Sequence, residues 1–260
     1  MKITEIQCKS ILTKSNLPEA DYCINPYVGC LHGCAYCYAS FMKRFTGHTE
    51  EWGTFLDVKI NAPVILEKQL TPKKKRGTIL IGSVTDAYQP IERKYEITRN
   101  ILKILAKHEF PVSILTKSAL VKRDIDIIKK IKSCEVGMTI TSLNKSISRI
   151  FEPTASSPQE RLDTLSFFKN NGIRTYAFIG PILPEIIDIN EILQSVKDKV
   201  DFVMFETLNF TKANRDKIIK CYKKAGINVN IALFDRKKFE KEALKLCHNK
   251  KIVVKGFYKH

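Results

Sequence analysis

Asn25-Pro26-Tyr27-Val28-Gly29-Cys30-Leu31-His32-Gly33-Cys34-Ala35-Tyr36-Cys37-Tyr38 brings three cysteines into eight residues, spaced C-x3-C-x2-C. Three thiolates so close can bind three corners of an iron–sulfur cube and leave the fourth iron without a protein ligand. An open iron is a site for chemistry. Gly29 and Gly33 let the backbone wrap closely around such a cluster, and the aromatic Tyr36 can shield one face of it from water. Two other readings of the same residues stand beside this one. A zinc site would take His32 as its fourth ligand, although His32 lies two residues from Cys30 and would strain the loop. An electron-transfer cluster would recruit a distant fourth cysteine. Cys8, Cys23, Cys134, Cys221 and Cys247 stand alone in the sequence and read as small buried hydrophobes.

The place of the loop in the chain is informative. Residues 21–29 read as a first strand, and the cysteines follow its carboxyl end. From residue 78 onward, short β-rich runs alternate with longer segments of helical period, as in βα units around a parallel sheet. The runs 78–84, 111–116, 135–141, 175–180 and 202–205 are predicted strands, and 228–233 is an additional one. Helices are expected over 95–108, 120–131, 158–171, 189–198, 213–225 and 237–247, with Gly172 and Gly226 at helix ends. Six parallel strands suggest an α/β fold closed only part-way, a partial (β/α)6 TIM-like barrel. In such folds reacting groups collect in the loops after the strands.

Length and composition fit one soluble domain: 260 residues, 44% hydrophobic and 27% charged. We take residues 1–260 as that domain, with a core over 21–235 and a C-terminal helical extension over 236–260. Met1-Lys2-Ile3-Thr4-Glu5 shows no apolar signal core, and no apolar run of membrane-spanning length occurs, so a cytoplasmic protein without a membrane partner is expected. Eight cysteines in a chain of this size read as reduced thiols rather than as disulfide staples. The net charge of +17 suits a polyanion such as a nucleic acid, or an acidic electron donor steered by the same field. Of 44 basic residues 34 are lysine, a bias that heat adaptation also produces. The run Lys73-Lys74-Lys75-Arg76 reads as a solvated turn before a strand.

The cysteine run, with Tyr36 just before its last member, resembles the radical S-adenosylmethionine superfamily. A wider set of segments resembles the branch related to spore photoproduct lyase. They are Asn25-Pro26-Tyr27-Val28-Gly29-Cys30, Trp52-Gly53, Lys59-Ile60-Asn61-Ala62-Pro63, Ser83-Val84-Thr85-Asp86-Ala87-Tyr88-Gln89-Pro90, Leu115-Thr116-Lys117-Ser118, Phe151-Glu152-Pro153 with Arg161, and Gly180-Pro181-Ile182-Leu183-Pro184. The resemblance covers most of the chain, from about residue 22 to 184. It implies the superfamily's partial (β/α)6 barrel and two cofactors, a [4Fe–4S] cluster on Cys30, Cys34 and Cys37 and S-adenosylmethionine on its open iron. One-electron cleavage of the sulfonium would then give a 5′-deoxyadenosyl radical that takes hydrogen from a substrate, with an acidic donor such as flavodoxin or ferredoxin supplying the electron.

The same resemblance points to the residues around the cofactors. Tyr36 shields the cluster. Ser83, Thr85 and Asp86 meet the methionyl amino group and Lys117 the carboxylate. Thr139, Thr141 and Ser142 meet the ribose, and the backbone of Gly180 and Pro181 the adenine. Glu152 and Arg161 form a supporting ion pair. Where the lyase carries a hydrogen-donating cysteine, this sequence has Ser83, whose O–H bond is far too strong for that task, so lesion reversal by the same route is not expected. A different cysteine, or Tyr36, Tyr38 or Tyr88, would have to substitute. No second cysteine group follows, so no auxiliary cluster is expected.

Overall fold

The computed structural model describes residues 1–71 and 75–259 and divides into two compact units, one formed by Met1–Gly33 with Ala39–Val136, the other by Cys34–Tyr38 with Gly137–His260. The cysteine loop is therefore shared, with Cys30 in the first unit and Cys34 and Cys37 in the second.

The first unit holds β1 (Lys2–Ile6), β2 (Leu12–Lys14), β3 (Tyr22–Ile24), β4 (Tyr27–Val28), β5 (Phe55–Lys59), β6 (Ile79–Ile81) and β7 (Val112–Thr116). They form a small sheet in the order β1-β5-β4 and a longer run in the order β7-β6-β3-β2. In the run, β3, β6 and β7 are mutually parallel and β2 is antiparallel to β3. The expected single strand over 21–29 is thus two strands in two sheets, and the break falls at Asn25-Pro26. Pro26 brings no N–H to a ladder. Asn25 meanwhile donates to Ser83 Oγ (3.0 Å) and accepts from the Val84 N–H (3.0 Å), while Lys59 Nζ donates to its carbonyl (2.9 Å). β6 ends early because Gly82 takes φ +90, where a Cβ would come within 2.9 Å of the Thr85 carbonyl.

The segments 52–53 and 59–63 also find their reasons here. Gly53, at φ +101, packs so closely on the cysteine loop that a Cβ would stand 2.8 Å from Gly33 Cα. Asn61 pairs with both backbone groups of Cys8, at 2.8 and 2.9 Å. Of the basic run, Lys73 and Lys74 lie outside the described residues. Lys75 and Arg76 are exposed ahead of β6, and Arg76 pairs with Glu109 at 2.5 Å.

β8 (Cys134–Ile140) enters the second unit at Gly137 and begins the order β8-β9-β10-β11, with β9 (Arg174–Ile182), β10 (Phe202–Thr207) and β11 (Val254–Tyr258). β10 is parallel to both β9 and β11. Stacked rings tie the strands together: Tyr176 on Phe202 at 5.0 Å and Phe205 on Phe257 at 4.7 Å. The helices Pro158–Asn170, Ile189–Val196, Arg215–Lys224 and Arg236–Asn249 lie where periodicity put them. Ser157 and Glu160 form a reciprocal capping box on the first of these, and Gly172 (φ 74) and Gly226 (φ 70) turn left-handed past helix ends.

Two expectations are corrected in this unit. Residues 228–233 are not a strand; the stretch ends in a short 3-10 turn, Ile231–Leu233, capped by Asn230. Val229 and Ile231 pack on the buried cluster of Phe151, Ile218 and Tyr222 instead of pairing in a sheet, and Asn230 closes the turn by accepting the Ala232 N–H at 3.2 Å. The C-terminal extension is helical only over Arg236–Asn249, and Val254–Tyr258 then joins the sheet as β11. In the first unit, the helix expected over 95–108 is two pieces, Glu92–Tyr95 and Ile97–Leu105, hinged at Glu96 in the left-handed region (φ 50).

Candidate active site at the cysteine loop

Each unit holds its own part of the loop by buried hydrogen bonds. In the first, residues after β6 grip the backbone on both sides of Cys30. Thr85 donates its hydroxyl to the Gly29 carbonyl (2.5 Å), Gln89 Oε1 accepts the Leu31 N–H (2.8 Å), and Gln89 Nε2 donates back to Thr85 Oγ1 (3.1 Å). Asp86 then reaches His32, with His32 Nε2 3.2 Å from Asp86 Oδ2. The same carboxylate accepts from Thr116 Oγ1 (2.7 Å) and the N–H groups of Lys117 and Tyr88 (both 2.8 Å). Burial opposes the charge on Asp86. His32 and these donors outweigh it, so the carboxyl is held far below its ordinary range. Gly29 must be glycine here: it sits at φ +88, and a Cβ would lie 2.7 Å from the Phe55 carbonyl.

Asp86 is thus an internal brace of the loop carrying Cys30. Asp86→Ala strands several buried donors at about 1–3 kcal/mol each. We expect a loss of at least about 3 kcal/mol, read as a lowered urea midpoint with the slope unchanged. An unaltered midpoint would show that the brace bears no weight.

In the second unit the centre is Glu152, with its side chain fully buried. It accepts from Tyr36 Oη, from Thr141 Oγ1 (3.1 Å), from Ser148 Oγ (3.2 Å) and from Arg161, with which it forms the expected ion pair. Arg161 also donates to the carbonyls of Thr139 (3.0 Å) and Ser156 (2.8 Å). Burial and the neighbouring Glu152 carboxylate push the Tyr36 phenol well above its usual range, so it stays protonated and acts as a donor. The Ala35 N–H donates to the Phe151 carbonyl (2.9 Å), and Asn214 Nδ2 donates to the Tyr36 carbonyl (3.3 Å).

The remaining sequence-derived residues fall as follows. Ser83 is half-buried and takes the Asn25 amide. Lys117 is half-buried just past β7. Ser142 is buried and caps the following turn, accepting the Asn144 N–H at 3.1 Å. Gly180 and Pro181 are buried in β9, and a Cβ on Gly180 would stand 2.7 Å from that of Glu206. Cys30 and Cys34 are buried and Cys37 is half-buried. Among the described residues, no group of three or more His, Cys, Asp or Glu side chains is gathered as a ready metal site. The three-thiolate assignment therefore rests on the donor chemistry of the loop and on its bracing.

Sequence reading missed Gln89 and Asn25 as loop anchors, and it missed a buried network in the first unit. There Glu92 takes Arg123 (2.8 Å) and the Tyr27 hydroxyl, while Asp124 takes Arg99 (2.7 Å), Arg123 (2.8 Å) and the Tyr88 hydroxyl (3.1 Å). Tyr27 and Tyr88 were visible within the quoted segments; their acidic partners stand 65 and 36 residues away, respectively.

A model of the radical SAM superfamily matches residues 24–198, two thirds of the chain. The chain belongs to that superfamily. As a radical SAM protein it is 37% identical to an uncharacterized protein of Methanocaldococcus jannaschii over 264 residues, covering 100% of this chain and 98% of the relative. In fold it is similar to a spore photoproduct lyase variant solved with dinucleoside spore photoproduct, with TM-score 0.76, 16% identity, and coverage of 99% of this chain and 82% of the lyase. A further structure of that lyase holds AdoMet as well, at TM-score 0.74 and 16% identity. A more distant likeness, TM-score 0.56 at 12% identity, is to SuiB of Streptococcus suis bound to its precursor peptide SuiA, covering 100% of this chain and 48% of SuiB. The radical SAM α/β fold and enzyme class expected from the sequence are borne out. Among the described residues no helix is long and apolar enough to cross a membrane.

Proposed function

We propose that this radical SAM enzyme works as a single domain in the cytoplasm, holds a [4Fe–4S] cluster on Cys30, Cys34 and Cys37, cleaves S-adenosylmethionine reductively and abstracts hydrogen from a nucleic acid. The observation that carries the first part is the loop itself: three thiols at C-x3-C-x2-C spacing, with Thr85, Asp86 and Gln89 bonded to Gly29, His32 and Leu31 around Cys30, and Glu152 bonded to Tyr36 beside Cys37. When bound, the cluster and the sulfonium supply one-electron bond cleavage and a carbon radical able to take a hydrogen atom.

The chain's own residues orient and shield. Tyr36 covers the loop near Cys37 while its hydroxyl is committed to Glu152. Ser83 and Lys117 are the polar groups for the amino and carboxylate ends of the methionyl moiety. Thr85 and Asp86, sequence candidates for the amino group, already bond to Gly29 and to His32, Thr116, Lys117 and Tyr88; we assign them to holding the loop that receives it. Thr139 in β8 and Thr141 and Ser142 just after it serve the ribose, and Gly180 and Pro181 the adenine. An acidic electron donor of the flavodoxin or ferredoxin kind is steered by the positive field.

For the substrate, a nucleic acid is favoured by the charge and by the likeness to a lyase solved with a dinucleoside. The test is anaerobic reconstitution with iron and sulfide, reduction, and measurement of 5′-deoxyadenosine with and without oligonucleotide. We expect its release and an increase with nucleic acid; a protein that yields none is a redox or zinc protein instead.

A further inference from the structure

The charge of this chain is unevenly distributed. Residues 212–260 hold 15 lysines and arginines against four acidic residues, a net +11 of the chain's +17. A general lysine bias would spread evenly, so this segment is charged for a local reason. Its helix Arg236–Asn249 buries Ala243 and Cys247 and presents Lys238, Lys241 and Lys245 to solvent at spacings of three and four residues, a single row.

The row starts at a cavity. Lys238 and Glu242 line a hollow of about 480 Å³ together with Glu185, Asn228, Phe234 and Phe239. One wall follows the carboxyl end of β9, the edge at which parallel α/β sheets place their ligands. That wall is fixed, since Tyr222 donates its hydroxyl to the Pro184 carbonyl at 2.9 Å. The volume is that of a small-ligand site. Two aromatic rings whose centroids are 5.7 Å apart, the amides of Asn228 and Asn230, and the carboxylates of Glu185, Asp235 and Glu242 give it a mixed lining.

We propose that this cavity receives one base of a single-stranded nucleic acid whose neighbouring phosphates lie along Lys238, Lys241 and Lys245. The inference rests on the nucleic-acid reading of the substrate above. An uncharged base suits the cavity: it stacks on Phe234 or Phe239 and offers amino groups to Glu185, Glu242 and Asn228. The phosphates then remain outside, on the lysines, and avoid the carboxylates. A cationic peptide would be attracted by the carboxylates but repelled by the surrounding charge. An acidic peptide would meet the reverse conflict.

The test uses the full chain and fluorescein-labelled dodecamers of dA, dC and dT, followed by anisotropy across a salt series. The triple variant Lys238→Gln, Lys241→Gln, Lys245→Gln should lower the salt slope by about two, since each lost phosphate contact on a single strand removes roughly 0.7. A control triple at the exposed Lys9, Lys14 and Lys68 should leave the slope unchanged. Asn228→Trp, on an exposed position, should fill the cavity and weaken binding about tenfold, with the slope kept. If the native chain binds the dodecamers and neither variant differs from it, the site assignment falls while the nucleic-acid reading stands. If the native chain binds none of them, both fall. Should a lysine-rich peptide bind, and lose its binding in Glu185→Gln with Glu242→Gln, the cavity belongs to a peptide and the proposal is overturned.

Discussion

Cys34→Ala should abolish both the cluster and the cleavage of S-adenosylmethionine. A cube held at three corners has no spare protein ligand, so losing one thiolate leaves two irons uncapped. Cleavage should drop at least about a thousandfold, which corresponds to some 4 kcal/mol of lost barrier lowering. The measurement is 5′-deoxyadenosine released per chain after anaerobic reconstitution, alongside iron and sulfide content and the visible absorption of the cluster. Cys8→Ala is the matched control: Cys8 is half-buried, and Asn61 holds its backbone rather than its thiol. Full iron content in that control and none in Cys34→Ala is the expected pair of results. Retained cleavage in Cys34→Ala would refute the assignment, and stoichiometric zinc in the native protein would do the same. If an alanine at Cys8, Cys23, Cys134, Cys221 or Cys247 also cost the iron, a fourth ligand would be present and the open corner would not.

What could be read ahead of the structure follows a physical boundary. Features set by neighbours in the chain were legible: the helix Pro158–Asn170, the left-handed glycines 172 and 226, the β-rich runs of β7 and β10, and the cysteine spacing itself. Features set by distant partners were not. β11 carries Lys255 and Gly256 in its five residues, a pattern that looks like loop until β10 supplies a parallel neighbour. β1 and β5 define each other across some 50 residues, with Ile3 opposite Leu56. Asp86 showed the same limit at the site. Its residue type and its place after a strand mark a polar ligand, but only the fold shows that His32, Thr116, Lys117 and Tyr88 already occupy its carboxylate. The pair Glu152 and Arg161 was recognisable because the two lie nine residues apart around a helix start.

That pair carries the second large effect. Arg161 is 1% exposed, and every contact it makes is internal: two backbone carbonyls and the Glu152 carboxylate. Arg161→Met fills the volume but leaves Glu152 buried with neutral donors alone, a change that costs about 3–5 kcal/mol. For a domain whose whole stability is of order 5–15 kcal/mol, this brings unfolding close to working temperature. Glu152→Gln in the same chain should restore part of the loss, since an amide needs no counter-charge, so the double variant should be more stable than Arg161→Met alone. Urea unfolding of the four proteins gives the coupling directly. The functional consequence reaches the loop through Tyr36, whose hydroxyl ends on Glu152, and through Ala35, whose N–H ends on Phe151 next to it. Iron retention should therefore fall in Arg161→Met at temperatures where circular dichroism still reports a folded chain. Additive single effects would mean that the charges act independently and that Glu152 needs no guanidinium to hold Tyr36 in place.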